Sequence, residues 1–151
     1  MSKKRLIWTS ILIVAALVAV YLYKEYNRTN SDLTNLKADI EISANDLIKE
    51  FEAGDSAANK KYLDKIIELT GNVKNLEKDD AGDYTIVIGD TLSMSSVRCL
   101  SDTNHRSDAA IIKENSTITI RGVCTGFKKN ELLGENLGSD VELTRCVVIK
   151  K

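Results

Sequence analysis

The chain has 151 residues, with 21 basic against 22 acidic side chains, three cysteines, eight glycines and no proline. That length holds one ordinary domain plus a short appendage, but not two full domains. Setting aside the basic cluster Lys3-Lys4-Arg5, the rest of the chain is net negative. It therefore has no general attraction to phosphate backbones, and nucleic acid is not an expected partner.

Leu6 to Tyr23 carries no charged residue. At 1.5 Å per residue such a helix spans roughly 27 Å, close to the hydrocarbon thickness of a bilayer. Trp8 lies near one end, and Tyr21, Tyr23 and Tyr26 near the other, where amphipathic rings favour the headgroup level. The flank Lys3-Lys4-Arg5 outweighs Lys24 and Arg28, so the N-terminus is expected inside and the domain outside the cytoplasm. The expected plan is a cytoplasmic tail at 1–5, a transmembrane anchor at 6–23, a linker at 24–41 and a domain at 42–151. The competing reading is a cleaved secretory signal and a secreted domain. Leu17 and Ala19 make a poor cleavage site, and no cysteine closely follows the apolar run to take a lipid.

Beyond the linker, Ser43 to Phe51 predicts a helix. Ser43 can cap it, Asp46 stands three residues on, and Leu47, Ile48 and Phe51 share a face. Gly54 ends or breaks it, and a second short helix is expected over 56–63. From Lys65 the apolar period changes from about 3.6 to 2. Ile67, Leu69, Gly71 and Val73 alternate with polar residues as a half-buried first strand. Tyr84–Ile88 predicts a second strand, Met94–Leu100 a third, Thr117–Phe127 a fourth and Asp140–Ile149 a fifth. The segment Lys128–Ser139 is expected as a loop. The phase break between Leu143 and Cys146 predicts a bulge near Thr144–Arg145.

The fold class is thus mainly β: a five-stranded OB-fold barrel preceded by one or two short helices and an N-terminal transmembrane helix. Gly71 suits the sharp bend of a first strand that serves both halves of a barrel. An open sheet or sandwich fits the same periodicity.

Several stretches resemble the tRNA_anti-like family of small bacterial OB-fold proteins. The helices before the first strand end in an Ala…Lys-Tyr…Lys pattern, here Ala57 or Ala58, Lys61, Tyr62 and Lys65. Ile67-Glu-Leu-Thr-Gly-Asn-Val73 is similar to the family's first strand. Ile120-Arg-Gly-Val-Cys-Thr-Gly126 and Asp140-Val-Glu-Leu-Thr-Arg-Cys-Val-Val-Ile149 are similar to its last two. The similarity covers about residues 42 to 150, and Gly54-Asp55 departs from the family pattern. It implies the barrel fold; it does not imply tRNA binding.

OB-folds often bind ligands on the face of their second and third strands, framed by loops. The candidate ligand face here comprises Tyr84, Arg98, Lys128 and Lys129. Single-stranded nucleic acid needs stacking aromatics and a basic groove, and this set supplies one aromatic among many nearby acids. His105, the only histidine, is expected in an exposed polar loop without a catalytic partner. Asp79, Asp80 and Asp83 lack the calcium-loop pattern and are expected as a solvated turn. No Cys or His spacing suggests a metal site, and no cofactor is expected.

Cys124 and Cys146 fall on the fourth and fifth strands, which a hairpin should make neighbours, so they form a candidate disulfide. Cys99–Cys146 is an alternative pair, and three buried thiols acting as small apolar side chains are another. The functional expectation is a non-enzymatic, membrane-anchored, extracytoplasmic binding module with an unidentified protein partner. The alternative is a domain binding oligosaccharide or nucleic acid.

Overall fold

A computed structural model describes residues 3–29, 32–132 and 135–149, with the side chains of 3–10, 25, 27–29 and 131–136 outside the description. The chain divides into two compact units, Met1–Asp32 and Leu33–Lys151.

The first unit is one helix, α1, Lys3–Thr29. Its 27 residues correspond to roughly 40 Å of length. Among the described residues no helix is long and apolar enough to cross a membrane. Side chains 6–10, the first part of the expected anchor, lie outside that description, as do Met1 and Ser2 of the expected tail.

The second unit begins at Leu33, earlier than the expected boundary at 42. It contains β1 (Ile40–Ser43), α2 (Ala44–Ala53), α3 (Asp55–Tyr62), β2 (Ile66–Lys78), β3 (Tyr84–Ile88), β4 (Ser96–Ser101), α4 (Arg106–Ala110), β5 (Thr117–Leu132) and β6 (Glu135–Val148). The strand order is β1-β2-β3-β4-β6-β5, and β2 also pairs with β5. That pairing, from Ile66 opposite Val123 to Asn72 opposite Thr117, closes the barrel. β4 and β6 run parallel, and the other barrel contacts are antiparallel. The first and fourth expected strands therefore pair as an OB-like barrel requires.

Local chemistry explains the helical elements. The Ser43 hydroxyl accepts the Asp46 amide at 3.2 Å and donates to its carboxylate at 2.6 Å, fixing the start of α2. Leu47, Ile48 and Phe51 then face inward and are buried. Gly54 separates α2 from α3, as expected. The Phe51 ring stacks on Phe127 at 5.1 Å and tilts against Tyr62 at 5.7 Å, so the two helices plug one end of the barrel. Lys61 ties α3 back to Glu50 of α2 at 2.8 Å.

Glycine is required where strands crowd. A Cβ on Gly71 would lie 2.6 Å from Ile88 Cγ2 and 2.8 Å from Ala44 Cβ. The bulge expected near Thr144–Arg145 is present. Arg145 has a φ of 56°, and pairing shifts between Arg121–Val147 and Val123–Thr144.

Three features depart from expectation. β1 is a sixth strand, parallel to β2 from Ile40–Ile67 to Ser43–Thr70. The segment 128–139 is mostly strand rather than loop: Lys128 pairs with Asp140 and Lys129 with Ser139. Lys128 and Lys129 are exposed there, so backbone pairing extends the ladder without an apolar stripe to announce it. The segment before β1 is not a free linker throughout, because Leu33 is buried.

Candidate binding face

Strand alternation sorts the side chains of β3 and β4. Ile86, Ile88, Val97 and Cys99 are buried in the core, so Thr85, Val87, Arg98 and Leu100 lie on the opposite face, where Val87 is nonetheless covered and buried. Register places Asn75, Val87, Arg98 and Glu142 in one row across four strands. The next row holds Glu77, Thr85 and Leu100. This is the outer face on which OB-folds commonly bind.

The four expected ligand residues separate into two places. Tyr84 shares the inward phase of Ile86 and packs against the core, so it is not a stacking platform. Its amide donates to Ser101 Oγ at 3.2 Å, and the Lys78 ammonium lies 5.5 Å from its ring centre. Arg98 is on the outer face, where its guanidinium forks onto both oxygens of Glu77. Both partners are partly exposed, so the pair adds little stability, but it neutralises the one arginine of the row. Lys128 and Lys129 are exposed on the β5–β6 hairpin. Lys128 shares a row with Ser96 through Asp140, at the opposite end of β4 from Ser101 and Tyr84.

The acidic turn is used internally. Asp79 caps it by accepting the Asp83 amide at 2.8 Å, and Asp83 accepts Arg106 Nε at 2.6 Å. His105 is half-buried rather than exposed, with Nδ1 3.4 Å from the Asp108 carboxylate. The two line a hollow of about 350 Å³ with Thr34, Val148 and Ile149. At that separation the His–Asp contact is long for a hydrogen bond. Among the described residues no group of three or more His, Cys, Asp or Glu could hold a metal ion.

Two clusters were not legible in the sequence. In the first, Glu52 Oε1 accepts from Ser95 Oγ at 2.6 Å and from Ser139 Oγ at 2.7 Å, while the Ser139 amide donates to Ser95 Oγ at 3.1 Å. It locks α2, the β3–β4 loop and the hairpin together. In the second, Arg121 pairs with Glu68 at 2.6 Å with both side chains largely buried. The same guanidinium donates to the carbonyls of Leu33 and Thr34 at 3.1 Å, and to that of Leu36. The start of the domain is thereby stapled to the barrel wall. The partners in each cluster lie far apart in sequence, and no local motif marks them.

The three cysteines are buried, unbonded thiols. Leu143, not Cys146, stands opposite Cys124, because the bulge displaces Cys146 along β6. Burial pushes the Cys124 thiol up to about 11. Burial, then the neighbouring Cys99, pushes Cys146 upward as well.

A family model described as tRNA_anti-like matches residues 1–136. The chain belongs to the tRNA_anti-like family. The match extends to the N-terminus, well before the region of quoted resemblance, and stops before most of β6. Among solved structures, the chain is similar to a candidate nucleic acid-binding lipoprotein from Klebsiella pneumoniae. That likeness has a TM-score of 0.54 at 16% identity, covering 73% of this chain and 92% of that one, and it shows the fold. Asparaginyl-tRNA synthetase from Pyrococcus horikoshii matches with a TM-score of 0.40 at 17% identity, over 60% of this chain and 21% of that one. An OBody bound to hen egg-white lysozyme matches at 0.38 and 13% identity, over 58% and 97%. No curated protein matches the chain.

Proposed function

We propose that this chain is a membrane-anchored, extracytoplasmic OB-fold module that binds a protein partner and has no catalytic role of its own. The anchor is the charge-free run Leu6–Tyr23 within α1, oriented by Lys3, Lys4 and Arg5. The Klebsiella protein of similar fold is described as a candidate nucleic acid-binding lipoprotein, and its lipoprotein half is the part that supports this reading.

The observation that carries the ligand class is the composition of the outer β3–β4 face. Tyr84 is half-buried against the core, and Arg98 is neutralised by Glu77 with Glu142 in the same row. What remains accessible is Leu100, Thr85 and Asn75 around an ion pair, with Val87 of the same row buried. A strand of nucleic acid needs free cations and rings on which bases stack. A protein interface is met by mixed apolar and polar side chains of balanced charge.

Co-isolation from membranes, with and without nuclease, tests the reading. A stoichiometric protein retained after nuclease treatment is the expected outcome. Loss of all bound material on nuclease treatment would replace it with a nucleic-acid ligand, and elution by free oligosaccharide with a sugar ligand.

A further inference from the structure

The β3–β4 loop presents large apolar side chains to water on a stiff frame. Leu92 is 93% exposed and Met94 70%. The loop is nonetheless tightly bonded. Asp90 Oδ1 accepts the Leu92 amide at 2.9 Å, and Ser93 Oγ accepts the Ser95 amide at 3.1 Å. The Lys74 ammonium donates to the carbonyls of Ser93 at 2.7 Å and Ser95 at 3.1 Å. The β5–β6 hairpin abuts the loop. Gly138 sits so close that a Cβ there would be 2.6 Å from the Met94 carbonyl carbon. Leu137, next to that glycine, is 38% exposed. Leu and Met held outward by hydrogen bonds lose little conformational entropy on docking, because their backbone is already ordered.

The charges beside these side chains are divided. Asp90 and Glu52 line a hollow of about 200 Å³ on the α2 side of the loop, with Lys49 as the cation among them. Lys128 and Lys129 stand on the hairpin side, in register with Asp140 and Ser139. An anionic bilayer would attract one side and repel the other. A protein surface of the opposite pattern satisfies both sides and fixes its own orientation.

We propose that Leu92 and Met94 form an apolar prong that docks into a socket on a partner protein. The socket carries basic residues on the side meeting Asp90 and Glu52, and acidic residues on the side meeting Lys128 and Lys129. This rests on the protein-binding reading above and names its site.

Site-specific photo-cross-linking on the full chain in its own membranes tests it, with the photoreactive residue at Leu92 or, for comparison, at Leu100 on the outer β3–β4 face. The expected result is a protein adduct from position 92 that maps to one peptide of one partner. Its yield should fall about threefold in Asp90→Asn, which keeps the acceptor for the Leu92 amide, and again in Lys129→Gln. Met94→Ser should lower it further, and all three variants should keep the parent melting temperature. Adducts at 92 only with lipid, adducts insensitive to both charge changes, or no adduct at 92 would each overturn the proposal. A partner captured at 100 and not at 92 would overturn it while leaving the protein-binding function intact. No protein adduct at either position would remove both.

Discussion

Replacing Gly122 by valine probes a tight point of the barrel wall. Gly122 is buried on β5 opposite Ile67. A Cβ there would lie 2.6 Å from Cys146 Sγ, 3.3 Å from Leu143 Cβ and 3.3 Å from the Thr144 carbonyl oxygen. Comfortable carbon contacts are about 3.5–4.0 Å, so the Sγ must move by roughly 1 Å before the two extra methyl groups are placed. It has little room, because Cys146 and the neighbouring Cys99 are both buried. Overpacking of this kind costs about 1–3 kcal/mol, and the further crowding by Leu143 Cβ and the Thr144 carbonyl oxygen puts Gly122→Val at the upper end, about 3 kcal/mol. For a domain of this size that lowers the melting temperature by roughly 10 °C, read by far-UV circular dichroism on the full chain. A double-mutant cycle locates the cause. Gly122→Ala should cost about 1 kcal/mol alone and much less when Cys146→Ala removes the sulfur. An unchanged melting temperature in Gly122→Val, or a cycle with no coupling, would refute the packing argument.

Arg121→Met leaves Glu68 buried without its guanidinium and frees the segment at Leu33–Leu36, so chemical denaturation should show a loss of about 3–5 kcal/mol. Arg121→Lys should recover only part of it, since an ammonium cannot reach one carboxylate and three carbonyls as a planar fork does. The Cys124 thiol is held at about 11 against an ordinary value of 9.0, so its contribution to stability is complete below pH 9. As pH rises from 9 toward 11 the unfolded thiol ionises first, and that contribution is lost. Cys124→Ala should remove part of the alkaline slope in a pH series of melting temperatures, and an identical slope would contradict the assignment. The proposed anchor predicts that the chain resists alkaline carbonate extraction from membranes with Leu6–Tyr23 intact by mass spectrometry. A soluble chain beginning near Val20 would show a cleaved signal instead.

The barrel was legible because its core strands are buried on one side. The alternation from Ile67 to Val73 and from Ile118 to Cys124 reports that asymmetry directly, and the broken phase before Cys146 reported the bulge. The α2 cap was legible because Ser43 and Asp46 act within one turn. β1 was missed because four residues are too few for a period to stand out. The start of the β5–β6 hairpin beyond Phe127 was missed because exposed side chains such as Lys128 and Lys129 carry no apolar rhythm. The candidate face was only half legible. Arg98 points outward as its residue type suggests, but whether Tyr84 faces core or solvent depends on register with Ile86. Its neutralising partner Glu77 comes from a different strand. The Glu52–Ser95–Ser139 and Arg121–Glu68 clusters unite distant segments, and only tertiary structure assembles them.

The central claim is that this barrel serves a protein and not a nucleic acid. The direct measurement is fluorescence anisotropy of labelled single-stranded DNA and RNA oligonucleotides titrated with the full chain in detergent at low salt. The account predicts a flat response, because Arg98 is neutralised by Glu77 and Tyr84 lies half-buried against the core. Saturable binding that weakens steeply with added salt and is lost in Arg98→Ala would contradict it.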